Sequence, residues 1–453
     1  MQKVLNALSN IVQPNCLFTD PVDCFAYAYD NSRQYFPPDG VVFAKTTQEI
    51  QQIVKLCHDY EIPLTARGRG TGTAGGSLPE QGGIALSLEK MRQIIEFNPQ
   101  NRYVIAEPGV LNQEVQNLVK PDGFFWAPDP SSQAYCSIGG NLATCAGGPH
   151  AVKYGVTRDH VLGLKAVTGT GELIQTGCYT TKGVVGYDLT RLMIGSEGTL
   201  GIITEATLKL TPLPAKRAGI TAHYHSLEAC AEAVVQIMNQ PACPSALELL
   251  DTASLDLLRS RYDNLIPDNA AAMLMIEVDG SAREISETQE AILTALQHSG
   301  LIEAKAVSDD QSLWAARKAL SPLLRDIAPK KINEDIAVPI AALPELFHQL
   351  KKLSTHYQIA NVNFGHAGNG NIHVNLLIDP EDPIQLQKAE ACLDEIFTVV
   401  LNLNGTLSGE HGVGMAKRPF VSREIDAPTI HLMKQIKAVF DPKNILNPGK
   451  LFE

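Results

Sequence analysis

Five glycines fall within nine residues in the run Arg67-Gly68-Arg69-Gly70-Thr71-Gly72-Thr73-Ala74-Gly75-Gly76. Glycine lets backbone amides approach a ligand with no side chain in the way. Successive amides of this kind form a concave anion site. A single G-x-G is more often a tight turn. Five glycines, with Thr71 and Thr73 as added donors, read as a pyrophosphate cradle. The flanks decide which kind. Residues 41–43 form an apolar run, Thr46 with Glu49 makes a capping box, and Ile50, Ile53, Val54 and Cys57 recur at helical spacing. Pro63 ends that helix, and residues 64–66 begin a strand. A Rossmann loop would open directly into a second helix whose dipole faces the phosphates. Here Pro79, Gly82 and Gly83 follow, then a strand over residues 84–88. Glu89 stands near the spacing of a ribose-binding acid, without the intervening helix. The pattern predicts a dinucleotide held by loops alone.

Two further glycine segments point the same way. Pro128-Asp129-Pro130-Ser131-Ser132 precedes Ser137-Ile138-Gly139-Gly140-Asn141, and Thr144, Gly147 and Gly148 follow. The third is Gly195-Ser196-Glu197-Gly198-Thr199-Leu200-Gly201-Ile202-Ile203. Glycine-rich sequence runs to about residue 212, where Pro212 and Pro214 mark a boundary near residue 215. A chain of 453 residues is too long for one core, so further domains are expected. Residues 227–238 and 284–297 read as amphipathic helices and residues 273–278 as a buried strand. That alternation suggests a sheet covered by helices on one face.

Other classes are excluded. A net charge of -12 argues against a nucleic-acid partner, which needs a basic surface. The nine cysteines are scattered with no C-x-x-C pair, so a cysteine zinc site, an iron–sulfur cluster and a disulfide framework are not expected. The N-terminus lacks a long apolar h-region, and the longest apolar stretch, around residues 270–276, is far short of a membrane span. A cytoplasmic protein is expected, with any membrane contact peripheral at the inner membrane.

A second chemically dense region spans residues 361–420. In Asn363-Phe364-Gly365-His366-Ala367-Gly368-Asn369-Gly370-Asn371-Ile372-His373, Asn-Gly is a hairpin signal. A two-residue turn centred on Asn369 and Gly370 sets His366 opposite His373, close enough to share a divalent metal. Histidines across a hairpin also serve simply as hydrogen-bonding groups. Ser408-Gly409-Glu410-His411-Gly412-Val413-Gly414 offers a third ligand and a further imidazole. In Trp314-Ala315-Ala316-Arg317, the arginine lies beside a stripe of Leu313, Ala316, Leu320 and Leu324. It is either a solvated helix residue or a bidentate partner for a carboxylate.

The segments Arg67–Gly72, Gly139-Gly140-Asn141, Gly198-Thr199-Leu200-Gly201-Ile202 and Tyr187-Asp188-Leu189-Thr190-Arg191-Leu192 together resemble the FAD-binding domain of the vanillyl-alcohol oxidase superfamily. Within it the chain resembles, over nearly its whole length, the group of D-lactate dehydrogenases, the glycolate oxidase FAD subunit and D-2-hydroxyglutarate dehydrogenases. The resemblance implies an α+β chain. Its FAD-binding domain of the PCMH type, two small subdomains, covers residues 1–215. A ferredoxin-like substrate (cap) domain, an antiparallel sheet covered by helices, covers residues 216–420, and residues 421–453 return to the FAD domain.

The resemblance also implies site roles. FAD would contact Arg67, Gly68, Arg69, Gly70, Thr71, Gly72, Thr73, Gly75, Gly76, Pro128, Asp129, Ser132, Ser137, Gly139, Gly140, Asn141, Thr144, Gly147, Gly148, Gly198, Gly201, Ile202, Ile203 and Asn447. No tethering histidine or cysteine lies within residues 65–79, so FAD is expected to be non-covalent. His366, His373 and Glu410 would hold a divalent metal, zinc or a similar ion, with His411 as general base. Substrate would meet Arg317, Ser321, Lys331 and His366. The implied reaction is oxidation of D-lactate, glycolate or D-2-hydroxyglutarate to the 2-oxo acid by hydride transfer to flavin N5. Electrons would leave to a quinone, a cytochrome, an electron-transfer flavoprotein or an iron–sulfur subunit, and a homodimer is one assembly left open. The competing readings are a metal-free FAD alcohol oxidase and an FAD subunit active only within a multisubunit complex.

Overall fold

In a computed structural model, which describes residues 1–261, 266–307 and 311–452 (side chains of 311 and 312 excepted), the chain divides into two units. The first comprises Met1–Gly147, Gly155–Leu213 and Glu410–Glu453; the second comprises Gly148–Tyr154 and Pro214–Gly409.

The first unit contains two larger sheets, each with its own core, and a two-stranded pairing of Phe124–Phe125 with Thr211–Pro212. The helix Thr47–Tyr60 begins at a capping box between Thr46 and Glu49 and buries Ile50, Ile53, Val54 and Cys57. It packs against strands Gly40–Phe43, Ile84–Ser87 and Leu64–Arg67, which run parallel in that order behind a short antiparallel edge, Leu17–Phe18. The glycine run joins Leu64–Arg67 to Ile84–Ser87 with no helix between them. The second sheet is antiparallel, in the order Ile94–Asn98, Tyr103–Ala106, Ile202–Lys209, Val161–Val167, Leu173–Gly177. Against it lies the helix Ile138–Thr144, through Ile138 and Leu142. The C-terminal stretch returns to the first sheet, where Leu64 N donates to Ile445 O (2.8 Å) and Asn447 N to Leu64 O (2.9 Å).

The second unit is built on a seven-stranded antiparallel sheet. Its order is Leu301–Val307, Lys216–Tyr224, Ala272–Gly280, Ala246–Leu250, Ala360–His366, Asn371–Ile378, Lys330–Ala337. The first four strands, with helices Leu227–Met238 and Ala282–Ala295, follow the ferredoxin-like β-α-β-β-α-β plan. The expectation of helices on one face only needs correction. Met273 and Met275 face Leu255 and Leu258 of Thr252–Arg259 and Leu313, Ala316 and Leu320 of Gln311–Leu323. Leu274 and Ile276, of the opposite parity, are equally buried. A strand apolar at both parities must be covered on both faces.

Candidate active site

The hairpin of the second unit carries His366 and His373, but in a register other than the one the turn signal suggests. Phe364 pairs with His373, Gly365 with Ile372 and His366 with Asn371. The connection is not two residues but four, 367–370. Gly370, at φ +69°, donates its amide to Ala367 O (2.9 Å) and closes a 3-10 turn. A Cβ on Gly370 would fall on the Val338 carbonyl oxygen, so only glycine fits. Both histidines still share one face as diagonal neighbours, with ring centroids 5.2 Å apart and planes nearly perpendicular. Both are buried.

Beside them lies Glu248, a carboxylate of zero exposure in the strand Ala246–Leu250. Its Oε1 is bonded to His366 Nδ1. Its Oε2 accepts from Arg317 Nε (2.7 Å) and lies 2.6 Å from Nη2. Burial works against ionisation of Glu248, but His366 and Arg317 outweigh it and hold the carboxyl well below the usual range. A carboxylate only accepts hydrogen bonds, so His366 carries a proton on Nδ1 and its neutral form presents a lone pair at Nε2. The Arg317 guanidinium also lies over the Phe364 ring, 4.6 Å from its centroid. It is therefore a buried, oriented cation rather than a solvated helix residue. Ser321 and Lys331 are brought together, with Lys331 Nζ donating to Ser321 Oγ (2.6 Å).

Glu410 leaves the second unit at a fixed point. The Gly409 amide donates to Asp335 O (2.8 Å), and Asp335 is the register partner of His373. His366 and His373 belong to the second unit, and Glu410 opens the last stretch of the first.

In the first unit the glycine segments converge. A Cβ on Gly68 would meet Ser137 Oγ at 2.5 Å and Gly140 N at 3.7 Å. The second segment is not a loop throughout: Ile138–Thr144 is a helix capped by Ser137 Oγ, which accepts from Gly140 N (3.3 Å). Gly139 is small because Pro108 packs against it, and Gly201 because Met193 does. Asn447 Nδ2 donates to Gly76 O (2.8 Å) and Glu197 O (2.7 Å), which ties the C-terminal stretch to the first and third segments.

Several side chains are committed to the protein itself. Arg67 is buried and donates to Tyr29 O (2.9 Å), and Arg69 pairs with Glu89. Thr144 Oγ1 donates to Gly140 O, Asn141 Oδ1 accepts from Asn112, and the Pro128 carbonyl accepts from Asn112 as well. Ile202 and Ile203 lie inside the strand Ile202–Lys209. These residues frame the cradle with side chains and leave backbone for a ligand. Gly72 faces open space, and the buried Asn447 Oδ1 has no hydrogen-bond partner among the described residues. An orphaned acceptor where the first and third glycine segments meet fits a polar dinucleotide cofactor.

Sequence reasoning missed Glu248 and Glu197. Each left a signal. Glu248 is a lone charge in Ala-Leu-Glu-Leu-Leu, and Glu197 sits among glycines at φ +52°. Glu197 Oε1 and Oε2 accept from Val413 N (2.6 Å) and Gly414 N (2.9 Å), just beyond His411. Burial pushes the Glu197 carboxyl up, against the pull of those two amides, Lys450 and Lys417.

Comparison with known proteins bears on these two halves in turn. Residues 38–177 match the FAD binding domain family model, and residues 213–451 match that of FAD linked oxidases, C-terminal domain. The chain is 38% identical over 431 residues to glycolate oxidase subunit GlcD of Bacillus subtilis (strain 168), covering 94% of this chain and 92% of that protein. It is 34% identical over 430 residues to D-lactate dehydrogenase of Anaerostipes hadrus, covering 91% and 89%. Among solved structures, p-cresol methylhydroxylase with substrate bound superposes with a TM-score of 0.82 at 16% identity, covering 99% of this chain and 96% of that one, a likeness of fold.

Proposed function

Because the chain belongs to the FAD-linked oxidases, we propose that it is an FAD-dependent dehydrogenase of a small D-2-hydroxy acid, of the lactate, glycolate or 2-hydroxyglutarate kind, giving the 2-oxo acid. The observation that carries the reading is the Arg317–Glu248–His366 array, a buried cation locked beside two imidazoles on one sheet face. An anion-recognising guanidinium set against a proton- or metal-handling pair suits a substrate with a carboxylate next to a hydroxyl.

In this reading Arg317 binds the substrate carboxylate with the end of its fork that Glu248 leaves over. Ser321 and Lys331 extend the polar wall, and His366 meets the substrate through the ion that its Nε2 lone pair would hold. His411 takes the hydroxyl proton as general base. FAD, held non-covalently by the glycine segments and Asn447, supplies the acceptor for the hydride that leaves the 2-carbon. The substrate thus loses one proton and one hydride, two electrons in all. A divalent ion, zinc or similar, on His366, His373 and Glu410 would supply Lewis acidity at the hydroxyl. The reoxidising partner is a quinone, a cytochrome, an electron-transfer flavoprotein or an iron–sulfur subunit. A second reading, an FAD subunit active only in a complex, is favoured by the word subunit in the name of the Bacillus relative. We place the protein in the cytoplasm, as a homodimer or with such subunits; among the described residues no helix is long and apolar enough to cross a membrane.

The test is anaerobic mixing of the purified protein with D- and L-2-hydroxy acids while following flavin absorbance. Bleaching by one D-acid and not its L-enantiomer, or by glycolate, which has no enantiomers, supports the reading. Bleaching by none overturns it, unless added subunits restore it, which selects the second reading. Elemental analysis of the same sample decides the ion.

A further inference from the structure

The third glycine segment sets a carboxylate, Glu197, deep inside the first unit at 6% exposure. Its backbone is left-handed, at φ +52°, a conformation that a non-glycine residue adopts at some cost. That backbone is held in place: the Glu197 carbonyl and the Gly76 carbonyl both accept from Asn447 Nδ2. The carboxylate then receives two successive amides, Val413 N on Oε1 and Gly414 N on Oε2.

The receiving loop is shaped to the carboxylate. Gly412 is at φ +83°, and a Cβ there would meet Glu197 Oε1 at 2.7 Å. Gly414 is at φ +52°, and a Cβ there would fall on the Ala74 carbonyl oxygen. The next two amides, Met415 N and Ala416 N, donate to Ala74 O at 2.8 and 3.2 Å. Consecutive amides flanked by left-handed glycines form an anion-binding concavity. Here the anion is the protein's own side chain. His411 precedes this concavity by one residue, and the glycines on either side of Val413 give the stretch after it a wide choice of backbone conformations, from which the clamp selects one.

We propose that Glu197 is a positioning residue, which fixes the bend after His411 and so the direction in which that imidazole meets the substrate. The inference rests on the reading of His411 as the base. It also gives a reason for an acid in the middle of a glycine segment: the wall of the cofactor cradle and the anchor of the base loop are one residue.

The test compares the FAD-loaded wild type, Glu197→Gln, His411→Asn and the double variant by anaerobic stopped-flow reduction with D-lactate, or with glycolate where that is the acid that bleaches the wild type. Glutamine keeps the volume but turns an amide donor toward a backbone N–H. Expected for Glu197→Gln is a reduction rate at saturating acid at least tenfold lower, with a half-saturating concentration changed by less than twofold and FAD content unchanged. In the His411→Asn background the same substitution alters the residual rate by less than twofold, since its effect passes through the missing imidazole. A wild-type rate in Glu197→Gln, or a tenfold loss that persists without His411, overturns the proposal. A wild-type rate in His411→Asn instead overturns the base reading. Should Glu197→Gln fail to hold FAD, hydrogen exchange on the wild type decides. The Val413 and Gly414 amides are protected at least a hundredfold if the clamp is made, and unprotected amides overturn it.

Discussion

Replacing Glu248 by glutamine tests the array on which the substrate reading rests. Glu248 is wholly buried and serves three nitrogens at once, Nε and Nη2 of Arg317 and Nδ1 of His366. Glutamine has the same shape, one acceptor oxygen and no charge. If its oxygen turns to Arg317, its amide donors face the His366 Nδ1 proton, and the ring escapes only by moving that proton to Nε2. If its oxygen turns to His366, Arg317 faces a donor. Either way a guanidinium that is 9% exposed loses its counter-charge. Breaking a buried ion pair from one side costs about 3–5 kcal/mol, and the remaining acceptor favours the lower end, about 3 kcal/mol. For a unit of this size that lowers the melting temperature by roughly 6–12 °C. In the first arrangement the shifted tautomer also removes the Nε2 lone pair, and affinity for a divalent ion falls by about 10- to 100-fold. A thermal melt followed by circular dichroism and elemental analysis after equilibration with zinc read the two effects. A melt within about 1 °C of wild type, with ion content unchanged, would refute the role given to Glu248.

Three further outcomes are expected. Burial pushes the His223 imidazole down to about 4, with Glu303 Oε1, 3.3 Å from Nδ1, opposing. The unfolded chain therefore binds the extra proton between pH 6.5 and 4, and stability falls as pH falls through that window, by about 3 kcal/mol in all; His223→Phe should flatten the melting temperature between pH 7 and 4.5 relative to wild type. Gly370→Ala places a Cβ on the Val338 carbonyl at a positive φ, and should cost at least about 2 kcal/mol in a chemical-denaturation midpoint; an unchanged midpoint would mean that the turn relaxes freely. Gly68→Ala puts a Cβ 2.5 Å from Ser137 Oγ, so the flavin-to-protein absorbance ratio after purification should fall well below that of wild type, and an equal ratio would detach Gly68 from the cradle.

Local patterns in the sequence read through to structure where the forces are local. The capping box at Thr46 and the helical stripe ending at Cys57 act within a few residues of one another, and they form as written. The lack of a helix after the glycine run was equally legible, because Pro79, Gly82 and Gly83 forbid one over a short span. Ile138–Thr144 escaped notice because its two glycines disguise a helix that Ser137 caps and whose buried Ile138 and Leu142 hold it. Glu248 and Glu197 were illegible for another reason. Their partners lie 69, 118, 216 and 217 residues away. Nothing near either acid says what it serves, only that a charge stands where apolar or glycine residues prevail.

The hairpin separates what a sequence pattern can fix from what it cannot. A two-residue turn at Asn369 and Gly370 would have set His366 opposite His373, whereas the actual connection takes residues 367–370 and sets His366 opposite Asn371. The pairing partner of each histidine therefore moves by two positions. Side chains alternate along a strand with period two, so a shift of two preserves the face while a shift of one would reverse it. His366 and His373 remain on one surface in either register. Only the direct pair becomes a diagonal one, and long imidazoles reach across a diagonal. The face was fixed by parity, and parity by the even count between the two histidines and a turn of even length. The distance between them was fixed by Gly370, whose left-handed backbone and contact with Val338 close the wider turn. A histidine pair spaced for one face thus survives a two-residue error in register, whereas moving His366 by one position would turn it away from Glu248 and Arg317.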